Sequence, residues 1–176
     1  SIPLFLLLKQ DQTQGWNAVI GDVWLTNPNS VNLEASIIYL QIFLMIDQGK
    51  THQEIYQWLL SCSIQQDIKL AIQQALDPEN KGSLRDIDGS SKGWVVHALY
   101  CTIFALRLSQ DPNQTYQLII NRIILMKGDA DTNAAIAGGL LGFYYGWTKL
   151  STDPITQENW SKVVKADTSQ GEYKRP

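Results

Sequence analysis

Cysteine is scarce: Cys62 and Cys101 are the only two in 176 residues. Their spacing matches neither a zinc ribbon nor a redox pair. Each falls in an apolar, helix-like stretch, where a buried free thiol is the expected state. That argues against a disulfide framework, and a reducing compartment, the cytoplasm, fits best. Histidine is equally sparse, with only His52 and His97, so a His–Cys zinc site would need all four residues to converge. A basic excess is also lacking. Fourteen Lys and Arg face 17 Asp and Glu, for a net charge of −3, which argues against general nucleic-acid binding. The longest apolar run, Ala35 to Ile46, is interrupted by Gln41 and falls short of the roughly 20 residues that span a bilayer. No membrane partner is expected. The opening Ile2–Leu8 is apolar but has no basic n-region and no small-residue cleavage site, so it reads as a core segment. Methionine is limited to Met45 and Met126, and the chain begins at Ser1.

What the chain does have is helical periodicity almost throughout, with no persuasive period-2 strand. Trp16, Val19, Ile20, Val23 and Trp24 repeat at i, i+3, i+4, i+7 and i+8, which paints one helix face. Asn29 or Ser30 can cap a helix over about 31–48, apolar enough to be central. Thr51 and Glu54 form a capping-box pattern for the next helix. Ser63 and Gln66, with the same spacing, could restart another, which Pro78 stops. Residues 77–92 are polar and Gly-containing, a long loop of the kind that is often functional; it reads equally as a solvated loop or as a substrate-side lid, which would offer Arg85, Asp86 and Asp88 to a protein substrate. Further helices are predicted over 93–109, around 116–125, over 133–147 and around 158–164. The fold class is an all-α helical bundle with short connections.

The chemistry concentrates at Met126-Lys127-Gly128-Asp129-Ala130-Asp131-Thr132-Asn133. Two carboxylates two residues apart, then a hydroxyl, stand at the entrance of a helix built from Ala and Gly. One carboxylate there is an ordinary cap for free backbone N–H groups. Two with a neighbouring Thr can also converge on a hard divalent cation, which prefers oxygen ligands. A phosphatase-type Asp-x-Asp needs Thr or Val four residues after the first Asp, where Asn133 stands. An EF-hand needs a glycine and a terminal glutamate that are not there.

From Gly128 to Gly146 the sequence resembles, nearly without gaps, a signature of the ADP-ribosylglycohydrolase family, which includes the enzyme that reactivates dinitrogenase reductase. Weaker echoes follow in the right order. Pro3-Leu4 is similar to the end of the family's phosphate-binding segment, Leu25-Thr26-Asn27-Pro28 to its Thr-His-Pro turn, and Gly93-Trp94-Val95 to its Gly-Tyr-Val helix start. Trp160 falls where a Trp follows in the last helix. The resemblance implies an all-α domain with two divalent cations, Mg²⁺ or Mn²⁺, beneath an ADP-ribose cleft. Asp129, Asp131 and Thr132 match metal ligands, with Asp131 taken as the catalytic carboxylate. Asn27, Gly93, Trp94 and Gly128 match positions bordering the substrate. Asn27 stands where many members have His, so hydrogen bonding could survive there but stacking could not. Lys127 replaces a common Gly, and Ala130 a Thr or Ser.

The implied activity is removal of ADP-ribose from a modified acceptor, so the expected partner is ADP-ribose or an ADP-ribosylated acceptor. The family's remaining metal ligands, a Thr-Asp-Asp group, have no counterpart in residues 1–176. The whole of 1–176 is therefore expected to be the C-terminal part of a single domain, completed by an N-terminal half. The alternative is a non-catalytic or truncated relative that binds ADP-ribose weakly or serves as a scaffold. Trp94 reads equally as a stacking wall or a core anchor. His97 reads as a core residue, His52 as solvent-facing, and Tyr144, Tyr145 and Trp147 as packing for the last helix.

Overall fold

The computed structural model describes residues 2–84 and 87–165. Among them are nine helices and no strand: α1 (Ile2–Gln10), α2 (Gln12–Thr26), α3 (Ser30–Asp47), α4 (His52–Ser61), α5 (Gln66–Leu76), α6 (Val95–Leu108), α7 (Tyr116–Leu125), α8 (Ala130–Leu150) and α9 (Pro154–Lys165). Arg85 and Asp86 of the long loop lie outside the described residues.

Side-chain caps set most of the helix starts. Asp11 accepts from the Gln14 N–H, Asn29 from Val31 and Thr115 from Leu118. Thr51 and Glu54 close the full capping box expected for α4, in which each side chain satisfies the other's free backbone donor. Ser63 does not start α5. That helix opens after Gln65, which makes no side-chain cap. The Gln65 N–H instead donates to Glu34 Oε2 at 3.0 Å, so a contact from α3 replaces the local one. The last two helices are longer than their periodicity predicts. In α8 a non-helical residue, Gly146 (φ 73°, ψ 157°), kinks the chain before Leu150. Asp153 accepts from the Thr156 N–H at 2.7 Å at the start of α9.

Helix α6, not α3, is the enclosed one. Every residue from Val96 to Leu106 is buried, because α6 packs against α5 and α8 with α3 behind it. A fully buried Leu, Ile or Phe contributes about 1.5–3 kcal/mol, so this helix anchors the bundle. Helix α3 buries its second half, Ile38 to Met45, but its polar start at Ser30–Glu34 stays uncovered or half-buried. Among the described residues α3 alone is long and apolar enough to cross a membrane by composition, yet eight of its side chains are packed into this core. Phe5, Phe43 and Phe143 join α1, α3 and α8 through ring centroids 5.0–5.4 Å apart. The apolar start of the chain is thus core, as expected, although Leu6 faces solvent.

The small-residue helix α8 meets tyrosine tips. Tyr39 of α3 donates to the Ile136 carbonyl at 2.9 Å and Tyr116 of α7 to that of Gly138 at 3.4 Å. Helix α2 lies at an edge, touching only α1 and α3 closely. Val19 and Val23 are therefore buried, while Ile20 and Trp24, on the adjoining flank of the predicted stripe, are exposed. The loop after α5 is tied down rather than free. Arg107 donates to the carbonyls of Ala75 (2.7 Å) and Asn80 (2.6 Å), and Tyr100 to Asn80 Oδ1 (3.1 Å).

Candidate functional site

The two carboxylates are presented by a strained turn. Lys127 and Gly128 both have φ near +67°, a left-handed conformation that costs a side-chain-bearing residue about 1–2 kcal/mol. Gly128 is required on two counts. It holds that φ, and the Ile87 carbonyl lies where its Cβ would be. Ile87 is itself buried, so the far end of the 77–92 loop packs on the turn that precedes Asp129. From the other side Gly82 abuts Met126, whose methyl carbon would sit 2.9 Å from an added Cβ. This loop therefore packs on the Met126–Asp129 turn through Gly82 and Ile87, where a lid and a solvated loop were equally expected.

Asp129 occupies the N-cap position of α8, yet its side chain makes no cap hydrogen bond. The bland reading of that carboxylate, as a cap, does not hold. Asp131 follows in the first turn, fully exposed. Its carboxyl is held below the usual range, chiefly by the Thr132 backbone N–H, with the Asp129 carboxyl within hydrogen-bonding reach of it. The two carboxylates are therefore close neighbours. Like charges so placed disfavour joint ionisation unless a cation stands between them.

A cleft of about 280 Å³ opens beside this turn. Its walls bring together residues distant in sequence: Asn27 at the end of α2, Gly93 and Trp94 at the start of α6, and Asp129 and Thr132 at the start of α8. A Cβ on Gly93 would stand 3.7 Å from Asp129 Oδ2, so these two walls nearly touch. Behind the cleft lies an apolar cavity of about 200 Å³ that reaches Leu4 and shares Asp22, Ser36 and Val95 with it. Together they fall within the roughly 300–1,000 Å³ of ordinary small-molecule sites. Of the other sequence-predicted residues, Asp131 stands on the exposed side of the turn and Gly128 lies under Ile87; neither lines the cleft.

Trp94 is about two-fifths exposed at the cleft wall, a wall residue rather than a core anchor. His97 is buried behind it, edge-on at 6.0 Å, with Nδ1 3.4 Å from the Lys92 carbonyl oxygen. His52 departs from expectation. It is half-buried against Tyr144 and Tyr56, with Nε2 3.1 Å from Ser109 Oγ, and that burial pushes its pKa down. Trp147 is mostly exposed and meets Trp160 of α9 edge-on. Cys101 is buried with its thiol pushed up to about 12, and Cys62 is also raised, both by desolvation; they are unreactive thiols.

Sequence reasoning passed over Asp22, Asn32, Ser36 and Asn133, which also line the cleft. Asp22 is exposed and Asn32 half-buried on helix surface, and neither carries a pattern of its own. Asn133 adjoins the motif, but only packing marks it out: it is buried and its Nδ2 has no hydrogen-bond partner.

The donor set fits a hard divalent cation in kind. It comprises two adjacent carboxylates, one released from capping, and a hydroxyl, all oxygen donors at a helix start. It is partial in number. Among the described residues no three His, Cys, Asp or Glu side chains converge on one point.

Comparison with known proteins accords with this architecture. A protein of Acanthamoeba polyphaga mimivirus, provisionally named an ADP-ribosyl glycohydrolase, is 29% identical over 138 residues, covering 73% of this chain and 41% of its own. The chain thus spans about two-fifths of that relative's length. No solved structure matches it significantly. The pattern that defines ADP-ribosylglycohydrolases matches residues 1–168, nearly the whole chain, and by that match, with an all-helical fold presenting Asp129 and Thr132 to a cleft, this chain belongs to the ADP-ribosylglycohydrolase family.

Proposed function

We infer that this chain carries part of the site of a metal-dependent hydrolase that releases ADP-ribose from a modified acceptor. Family membership supports the glycohydrolase class. The observation that carries the finer reading is the Asp129 carboxylate, which is free of capping and shares the cleft wall with Thr132, Asn27 and Trp94.

Asp129, Asp131 and Thr132 would hold Mg²⁺ or Mn²⁺. A divalent cation in this position supplies Lewis-acid stabilisation of charge as a glycosidic bond breaks. The chain's own residues do the remainder. The Asn27 side chain and the Gly93 backbone border the nucleotide with hydrogen-bonding groups. Trp94 offers an aromatic face to a sugar or base. Gly128 keeps the turn close enough to Ile87 for Asp129 to stay in place. The remaining ligands of a two-cation site come from a complementary N-terminal half. That division is supported by the partial donor set and by the two-fifths of the mimivirus relative that this chain covers. The unreactive thiols suit a reducing, cytoplasmic setting.

Calorimetric titration of Mn²⁺ and then ADP-ribose into the chain tests the reading. Metal-dependent binding of ADP-ribose, lost in Asp131→Ala, is the expected result. Absence of any metal binding, or ADP-ribose binding indifferent to metal, sinks it. ADP-ribose binding with no turnover, even after addition of the remaining part of a full-length relative, would favour the non-catalytic alternative.

A further inference from the structure

A second depression, of about 360 Å³, lies on the other side of Trp94 from the carboxylate cleft. One wall is a single face of α5, where Asp67, Leu70 and Gln74 follow at i, i+3 and i+7. The rest of the lining comes from Leu84, Ser91 and the start of α6 with Trp94 before it, including the buried His97. Trp94 lines both depressions, so one indole separates two adjacent sites. Its orientation is supported from below by the edge-on His97 ring and by its own backbone N–H, which donates to the Ser91 carbonyl at 2.9 Å.

The chemistry of this second depression is specific. Asp67 is the one charged group lining it, and among the described residues Asp67 enters no ion pair. Lys69 and Lys92 are close in sequence but do not line it. Leu70, with nearly half its surface exposed, adds an apolar surface to the same lining as the carboxylate and the indole. A carboxylate, an aromatic face and an apolar surface together suit a cation on an aliphatic stem. Gln74 of α5 and Ser91 of the loop before α6 add polar groups to the lining, suited to a peptide backbone.

We propose that the groove between α5 and Trp94 binds an extended segment of the ADP-ribosylated protein, with a basic side chain near the modified residue lying between Asp67 and Trp94. This rests on the reading of the neighbouring cleft as the ADP-ribose site and extends it, making the substrate a polypeptide rather than a free nucleotide. The charge complementarity of Asp67 and the continuity through Trp94 carry it. The groove then ranks ADP-ribosylated proteins by the residues around the modified position.

The test uses the whole chain, ¹⁵N-labelled, with a short, otherwise uncharged peptide amide carrying one arginine. Its neutral isostere with citrulline is the control. Arginine peptide should shift the Trp94 indole N–H, assigned with Trp94→Phe, and the amides around Asp67. The citrulline peptide should bind at least about threefold more weakly, the scale of one cation–π or exposed ion-pair contact. Asp67→Asn should lower affinity for the arginine peptide to the citrulline level while leaving the spectrum folded. Saturating Mn²⁺ and ADP-ribose should leave the peptide bound. Equal affinity for the two peptides, no effect of Asp67→Asn, or shifts mapping to another surface overturns the groove. Displacement of peptide by ADP-ribose overturns the side-by-side arrangement. If ADP-ribose fails to bind but the peptide shows the Asp67 dependence, the functional reading falls and the peptide site stands.

Discussion

The carbonyl oxygen of Ile87 fills the space in which a side chain on Gly128 would begin. Two segments forty residues apart are thereby locked together at the turn that presents Asp129. The loop end can hold its place only while the turn has no Cβ.

Gly128→Ala should therefore be among the most damaging substitutions in the chain. It adds a clash to a φ of 67°, and alanine at such a site costs more than the usual 0.4–1 kcal/mol scale of glycine effects, about 2–3 kcal/mol. Urea denaturation should show a lowered midpoint at unchanged slope, and Mn²⁺ affinity should fall. A midpoint equal to the parent's would show that the loop moves aside freely.

Lys127→Gly should do the opposite. Lys127 is the one non-glycine residue with positive φ among those described. Relief of its left-handed strain outweighs the extra unfolded-state entropy of glycine, leaving a net gain of about 0.5–1 kcal/mol. A thermal midpoint raised by a few degrees is the readout. A lower midpoint would mean that the lysine side chain makes a contact more valuable than the strain it bears.

Asp129→Ala separates a ligand from a cap. An ordinary N-cap deletion costs about 0.5–2 kcal/mol. Asp129 makes no cap bond, so the variant should stay within about 0.5 kcal/mol of the parent yet lose Mn²⁺ binding. Loss of stability on the scale of a cap, with metal binding intact, would reverse the assignment.

His52 gives a pH dependence with a definite sign. Burial lowers its folded-state pKa below the unfolded 6.5. The unfolded chain then binds the extra proton first, so stability is full above pH 6.5 and declines as pH falls toward the lowered folded value. His52→Gln should flatten this part of the urea-midpoint profile while leaving its high-pH plateau nearly in place. An unchanged slope would assign the titration elsewhere.

The sequence by itself determined the helices and the motif. Apolar spacing repeats every three or four residues within the helical stretches between Trp16 and Val164, and caps such as Asn29 and the Thr51–Glu54 box are local chemistry that needs no partner to be recognised. The run from Gly128 to Thr132 was legible for the same reason, since its two carboxylates and hydroxyl are neighbours in the chain. Only the tertiary structure decided which helix would be enclosed, that Ile20 and Trp24 would face solvent, and that Gln65 would take over from Ser63 at the start of α5. It alone brought Asn27 and Trp94 to the wall that holds Asp129, set Asn133 beside them, and made Trp94 the partition between two depressions. Those outcomes depend on which faces of distant segments meet. Each segment's periodicity says that it has an apolar face, but not what covers it; that is settled by packing among all the segments at once.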